Sequence, residues 1–183
     1  MSSWFCDEPR VDTELDRLNS LSPTDAQAEF LKCCGATRWA KRMSEARPFV
    51  DLEEVSSKAD AIWWSLNKED WLEAFRAHPK IGERKAAATQ SHQAANWSAQ
   101  EQSQAQQAAD ETKAAVAEGN YVYEDRFGFI FIICASGKSA SEILTALRQR
   151  FANDAETELR VAAEEQRKIT LLRLEKLLQV LRP

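Results

Sequence analysis

The stretch AAEEQRKITLLRLEKLL, residues 162–178, has the apolar spacing of a long helix with one buried face, predicted to cover residues 155–181. At about 100° per residue, one face collects Leu159, Ala162, Ile169, Thr170, Leu177 and Leu181. Gln166 and Arg173 project into the middle of that face. Because a charge buried without a partner is costly, Arg173 is predicted either to pair with a buried carboxylate or to face an anionic ligand.

Helical spacing also dominates the rest of the chain. Ser22 and Pro23 are typical of a helix start and Gly35 of a helix end, and apolar spacing predicts further helices within residues 37–48, 59–66 and 67–78. An Ala- and Gln-rich stretch predicts an exposed helix over residues 102–118, ended by Gly119 and Asn120. The pattern therefore favours an all-α fold.

Composition narrows the class of protein. With 183 residues, 44% hydrophobic and 29% charged, the chain is predicted to form a single globular domain over residues 1–183. A net charge of −5 argues against nucleic acid as the main partner. We find no signal peptide, no membrane-spanning run and no peroxisomal address in QVLRP. Cys6, Cys33, Cys34 and Cys134 lack metal-ligand or disulfide spacing, so we expect reduced thiols and a cytoplasmic location.

The stretch FGFIFIICA, residues 127–135, differs from the helical remainder. It is apolar and β-branched, which locally predicts a buried strand. No other stretch predicts a partner strand, yet its backbone N–H and C=O groups must pair somewhere. Other loops or a polar ligand are the two alternatives. The predicted fold class is thus an all-α, single-domain helical bundle with one buried extended segment near residues 127–135.

One of the two histidines, His78, directly precedes Pro79 at the end of a helical pattern. Proline disfavours the helical conformation of the residue before it, so His78 leaves the helix there. It is either a simple helix cap or an acid–base group active near neutral pH. In the second case Lys80, Arg84 and Lys85 would attract an anionic substrate. His92 lies in a polar stretch and is predicted to be a surface residue.

The stretch WSAQEQ, residues 97–102, has the spacing of a capping box, with Ser98 at the N-cap and Glu101 at N3. The alternative is that Glu101 orients or polarises a nearby imidazole. No nucleotide loop, zinc signature or Ser–His–Asp elbow is present. A histidine, a glutamate, an arginine and an extended backbone segment make a small, metal-free and cofactor-free site, suited to moving a proton and stabilising a delocalised anion.

Together these stretches resemble one family, the 2-oxo-4-hydroxy-4-carboxy-5-ureidoimidazoline (OHCU) decarboxylases of urate breakdown. The matching pieces are RPF at 47–49, AHPKIGERKAAA at 77–88, WSAQEQ at 97–102, RFGFIFIICASGKSASEIL at 126–144 and AAEEQRKITLLRLEKLL at 162–178. Each piece alone is weak, but their common order over nearly the whole chain is specific.

The resemblance implies an all-α bundle and a cofactor-free lyase of purine metabolism that converts OHCU to (S)-allantoin and CO2. It implies catalytic roles for His78, as proton donor, and Glu101, which would fix the imidazole tautomer and raise its pKa. Removal of the hydroxyl proton by His78 is the alternative first step. The implied substrate-binding residues are Pro79, Ser98, Ala99, Gln100, Glu101, Gln102, Phe131, Ile132, Ile133, Cys134, Ala135 and Arg173, with the 131–135 backbone holding the ring and ureido groups.

Partners and the rival function follow from the same residues. We expect a small-molecule substrate and product, no nucleic acid and no membrane, with a homodimer as an open option for the assembly. The rival hypothesis is a non-enzymatic helical interaction module. In that case His78 is a cap, Ser98 and Glu101 are only a capping box, and Arg173 is half of a structural ion pair.

Overall fold

The computed structural model describes residues 14–80 and 110–181. Eight helices form this part of the chain, which contains no strand. They are α1 (Glu14–Ser20), α2 (Pro23–Cys34), α3 (Thr37–Glu45), α4 (Leu52–Trp64), α5 (Lys68–Arg76), α6 (Asp110–Phe127), α7 (Ala140–Arg150) and α8 (Ala155–Val180). The prediction of an all-α fold is confirmed.

The long helix α8 organises the bundle. It packs against α1, α2, α4 and α5, while α6 and α7 pack against each other. Its predicted inward face is buried, since Ala162, Gln166 and Thr170 are 5% exposed or less. Trp63 of α4 donates its indole N–H to the backbone oxygen of Ala163 at 3.0 Å. The last helix of the chain therefore packs against four helices of the N-terminal half.

Local signals set the ends of the early helices as predicted. The Ser22 hydroxyl accepts a hydrogen bond from the backbone N–H of Asp25 at 3.1 Å, and Pro23 is the first residue of α2. Gly35 ends α2 in the left-handed conformation, with φ of +81°. A Cβ atom at Gly35 would lie 2.5 Å from the Cβ of Ala77. Glycine therefore lets α2 approach the residue that directly precedes His78.

Substituting alanine for Gly35 is expected to destabilise the fold by about 1–3 kcal/mol from backbone strain, plus the cost of the contact with Ala77. Gly137 provides the matched control, because its φ is +76° but nothing lies within 4 Å of its Cβ position. Urea denaturation of Gly35→Ala and Gly137→Ala measures the loss of stability in each variant. Equal losses of stability would show that the close approach to Ala77 contributes nothing.

The RPF stretch at residues 47–49 fixes the connection from α1 to α2. The Arg47 guanidinium donates to the backbone oxygens of Leu18 and Leu21 at 2.7 and 2.8 Å. Asn19 donates to the oxygen of Phe49 and accepts from its N–H, at 2.8 and 2.9 Å. These bonds satisfy carbonyls at the end of a short helix, so this stretch is structural in the described part of the chain.

Helix α6 departs from the prediction, because it continues through Gly119 and Asn120 to Phe127 instead of ending there. A Cβ atom at position 119 would lie 2.5 Å from a methyl carbon of Leu147 in α7. Glycine at this position thus reflects close packing of two helices rather than a helix end. Asn120 is 2% exposed and donates to the Val116 oxygen at 3.1 Å.

The predicted extended segment is present and begins one residue later than expected, after Phe127. Gly128, at φ of +77°, turns the chain out of α6, and residues 131–135 are all buried. No strand forms in the described residues, so the local strand prediction was wrong. Three of the backbone groups in this segment pair with side chains of Lys138, Arg150 and Glu165 instead.

A buried ionic network anchors this segment to α8. The Glu158 carboxylate is fully buried and accepts hydrogen bonds from Tyr123, from Arg150 at 2.6 Å and from Asn153 at 2.7 Å. Arg150 in turn donates to the Ile132 oxygen at 2.7 Å. The network therefore joins α6, α7, α8 and the extended segment.

Within residues 14–80 and 110–181, no helix has both the length and the apolar character required to cross a lipid bilayer.

Candidate active site

His78 lies just beyond the end of α5, as predicted from Pro79. Its backbone N–H donates to the Phe75 oxygen at 3.1 Å, which closes the last turn. The residue is partly buried, and its Nε2 atom lies 2.7 Å from the Oε1 atom of Gln166 on α8. The imidazole therefore points to the polar positions of the long helix, which a cap of its own helix would not require.

The partner of His78 is itself held by a second residue. Gln166 is fully buried, and its Nε2 atom donates to the Thr170 hydroxyl at 3.2 Å. That hydroxyl donates to the Gln166 backbone oxygen at 3.0 Å. The Thr170 hydroxyl also lies close enough to the Cys34 thiol of α2 to act on its pKa. The side chain of Gln166 is thus fixed at both ends in a region without solvent access.

Arg173 is buried, as its place on the helical face predicted, with 3% of its surface exposed. Its positive charge acts on His78 and on the Cys33 and Cys34 thiols at the end of α2. Residues 78 and 173 are far apart in sequence, yet the helix brings the guanidinium near the imidazole. The two predicted site residues therefore belong to one region.

The pKa of His78 is lowered to about 3 by burial of the ring and by the positive charge of Arg173, with the Gln166 hydrogen bond opposing both. The expected increase depended on Glu101, which lies outside the described residues, so that effect stays a prediction. A desolvated imidazole next to a cation loses its proton more readily. At neutral pH the ring is therefore neutral and can accept a proton.

The low pKa of His78 makes the free energy of unfolding depend on pH. Between an unfolded-state value of about 6.5 and a folded-state value of about 3, the unfolded chain binds a proton that the folded chain does not. We therefore expect the free energy of unfolding to fall as the pH is lowered through this range, and to fall less steeply in His78→Asn. Urea denaturation at about pH 7.5, 5.5 and 4.5 tests this. Parallel curves for the two proteins would contradict it.

The extended segment reaches the same region through α8. Glu165, next to Gln166, accepts a hydrogen bond from the Cys134 N–H at 2.8 Å. Lys138 donates to the Cys134 oxygen at 3.0 Å, and Phe129 contacts the ring of Phe75 on α5 with centroids 5.4 Å apart. Successive residues of one helix thus hold the segment and the imidazole.

These bonds refine the expected role of the 131–135 backbone. The Cys134 N–H, the Cys134 oxygen and the Ile132 oxygen already pair with charged side chains. Part of the requirement for backbone partners is therefore met within the protein, and a ligand would use other groups of the segment.

Of the three basic residues that closely follow His78, the structure describes only Lys80. Lys80 pairs with Glu124 of α6 at 2.5 Å, and its ammonium group lies 5.0 Å from the centroid of the Tyr121 ring. The charge of Lys80 is thus engaged with α6, and its role in attracting substrate stays a prediction. Arg84 and Lys85 lie outside the described residues.

Several predicted site residues also lie outside the described part of the chain. They are Ser98, Ala99, Gln100, Glu101 and Gln102, and the predicted surface residue His92 lies there too. Their roles stay predictions.

Three residues near the site were not predicted as site residues: Gln166, Thr170 and Glu165. Gln166 and Thr170 were placed on the buried face by their spacing, and a fully buried amide requires partners, so the signal for Gln166 was present. Glu165 carries no comparable signal, because its partner is a backbone group 31 residues earlier in the chain.

Among the residues that the structure describes, no group of three or more His, Cys, Asp or Glu side chains is placed to hold a metal ion.

Comparison with known proteins identifies the family. Residues 19–175 match the family described as OHCU decarboxylase. The chain belongs to the OHCU decarboxylase family. A solved OHCU decarboxylase structure, determined in the presence of (S)-allantoin, is 41% identical with a TM-score of 0.71 and covers 82% of this chain and 97% of that chain.

Two curated relatives of the OHCU decarboxylase family differ in length. The uric acid degradation bifunctional protein TTL of Arabidopsis thaliana is 41% identical over 81% of this chain and 46% of its own length. The 2-oxo-4-hydroxy-4-carboxy-5-ureidoimidazoline decarboxylase of Haloferax volcanii is 29% identical over 88% of this chain and 92% of its own length. The chain thus spans about half of the Arabidopsis protein. Membership in a family of decarboxylases favours the enzyme over the interaction module.

Proposed function

We propose that this chain decarboxylates OHCU to (S)-allantoin in urate catabolism, as a carboxy-lyase without a cofactor. The observation that carries the proposal is the placement of His78 on Gln166, with Arg173 and the extended segment held by the same helix. Five further site residues, 98–102, are proposed from the family resemblance, with Glu101 as a catalytic residue and the others as substrate contacts.

The reaction needs a group that moves one proton and groups that stabilise negative charge. The bond between the ring carbon and the carboxylate breaks, CO2 leaves, and the electron pair passes into the neighbouring imine. A neutral His78 can take the proton of the substrate hydroxyl, so that the decarboxylated carbon becomes a carbonyl, and deliver it to one face of the former imine carbon, which bears the ureido group. The imine nitrogen takes a second proton from solvent, which balances the charge of the lost carboxylate. Burial and the charge of Arg173 lower the pKa of His78, which favours a ring that is neutral at the start of the reaction.

Arg173 is proposed to stabilise the anionic substrate and transition state. Its buried guanidinium lies in a region of low dielectric, where a charge acts more strongly than in water. Pro79 and residues 131–135 are proposed to line the same site.

The direct test is turnover of freshly prepared OHCU by the purified chain. We expect faster loss of its ultraviolet absorbance than in buffer, with (S)-allantoin as the product by chiral chromatography. Equal rates with and without protein, or racemic allantoin, would contradict the proposal.

We also propose one domain over residues 1–183, a cytoplasmic location and a homodimer. Light scattering tests the assembly.

Replacing Arg173 by methionine is expected to lower kcat/KM roughly 10- to 100-fold, because a charge-assisted hydrogen bond contributes about 1.5–3 kcal/mol. Arg173→Lys should restore only part, since a point charge does not reproduce the planar guanidinium. Kinetics and melting curves on both variants decide between substrate binding and a structural ion pair. A large loss of stability with near-normal turnover in the folded protein would assign Arg173 to the fold.

A further inference from the structure

The hydrogen bonds around Gln166 are directional. The Thr170 hydroxyl has one proton, which is given to the Gln166 backbone oxygen at 3.0 Å. Towards the Gln166 side chain, the hydroxyl can therefore only accept, and it accepts from the amide nitrogen Nε2 at 3.2 Å. The amide of Gln166 is thereby oriented with its oxygen towards His78.

The contact with Cys34 is compatible with this orientation. Burial raises the pKa of the Cys34 thiol to about 12, so the sulfur is protonated and a weak acceptor. It has little power to withdraw the Thr170 proton. Thr170 and Gln166 are 5% and 0% exposed, so bulk water does not replace either bond.

The amide oxygen has no proton to give, so the 2.7 Å contact requires a proton on Nε2 of His78. We propose that Thr170 and Gln166 act as positioning residues that fix the tautomer of His78, with the proton on Nε2 and the lone pair on Nδ1. Nδ1 is then the nitrogen that exchanges the proton with the substrate. This role rests on the proposed decarboxylation, whereas the tautomer itself does not.

The tautomer is measured directly by long-range ¹H–¹⁵N correlation spectra of the imidazole ring at neutral pH. The chain has two histidines, so a His92→Gln variant assigns the signals of His78. We expect a pyrrole-type Nε2 and a pyridine-type Nδ1 in the wild-type protein. The reverse pattern would overturn the proposal, whether or not the protein decarboxylates OHCU.

Two substitutions of Thr170 form a matched pair. Thr170→Val keeps the shape but removes the hydroxyl that orients the amide, so we expect the Nε2–H population of His78 to fall and kcat to fall with it. Thr170→Ser keeps the hydroxyl and should retain the wild-type spectrum and kcat. An unchanged spectrum and kcat in a folded Thr170→Val protein would exclude the hydroxyl as the orienting group.

Gln166→Met removes the acceptor itself and tests the link to catalysis. We expect kcat to fall about 10- to 100-fold, as for a misplaced catalytic group. The change in KM should be much smaller, because Gln166 is proposed to act through His78 and not on the substrate directly. A rise in KM without a fall in kcat would reject the positioning role. Failure of the wild-type protein to turn over OHCU would refute the proposed function and leave the tautomer assignment to the spectra.

Discussion

Replacing His78 by asparagine is expected to lower kcat/KM for OHCU by about 100- to 10,000-fold, the usual contribution of a general acid–base group. Asparagine retains hydrogen-bonding capacity towards Gln166 but cannot take up and release a proton near neutral pH. The fold should remain, because the loss affects one partly buried polar contact. Initial rates at equal protein concentration, with far-ultraviolet circular dichroism, measure both effects.

His92→Asn is the matched control, since it replaces the other histidine of the chain. We expect its rate to equal that of the wild type. If His78→Asn kept more than half of the wild-type rate, His78 would not be the group that moves the proton.

Replacing Glu158 by glutamine is expected to destabilise the fold by about 3–5 kcal/mol, because it leaves Arg150 buried without its counter-charge. Glu158 is fully buried and Arg150 is 8% exposed, with 2.5 Å between their closest charged atoms. Arg150 also donates to Ile132, so we expect faster amide hydrogen exchange in residues 131–135. Urea denaturation and exchange measured by mass spectrometry test the two effects.

Two further variants distinguish the contribution of the Arg150–Glu158 ion pair from the effect of losing one carboxylate. Glu175→Gln removes an exposed carboxylate from the same helix and should change stability by no more than about 0.5 kcal/mol. The double variant Arg150→Met with Glu158→Leu removes both charges and should recover much of the loss, as buried pairs often do when replaced by apolar residues. A Glu158→Gln protein as stable as Glu175→Gln would show that the buried pair contributes nothing.

Helices with local start and end signals were predictable. Ser22, Pro23 and Gly35 act within one turn of the chain, so they bound α2 regardless of what packs against it. Gly119 has the same local signature as a helix end, yet α6 continues through it. Its reason is Leu147 on another helix, and a local pattern contains no information about that neighbour.

The candidate site divides in the same way. The end of the helix before Pro79 and the buried position of Arg173 could be predicted from the sequence, because both depend on backbone geometry within one segment. The partner of His78 could not, since Gln166 lies 88 residues later. Among the described residues, burial and Arg173 lower the pKa of His78, and Arg173 lies on a helix far along the chain. The expected increase depended on Glu101, which lies outside the described residues, so that effect stays a prediction.

The sequence alone determined that this protein is an all-α bundle with one buried extended segment, and its ordered motifs identified the family, because periodicity, caps and motif order are properties of the linear chain. Only the tertiary structure decided which groups meet. It paired the extended segment with Glu165 and Arg150 instead of a strand, placed His78 on Gln166, and made the imidazole neutral. Hydrogen bonds and charge interactions act over a few ångströms in space, and the packing of α8 against the other helices sets those distances.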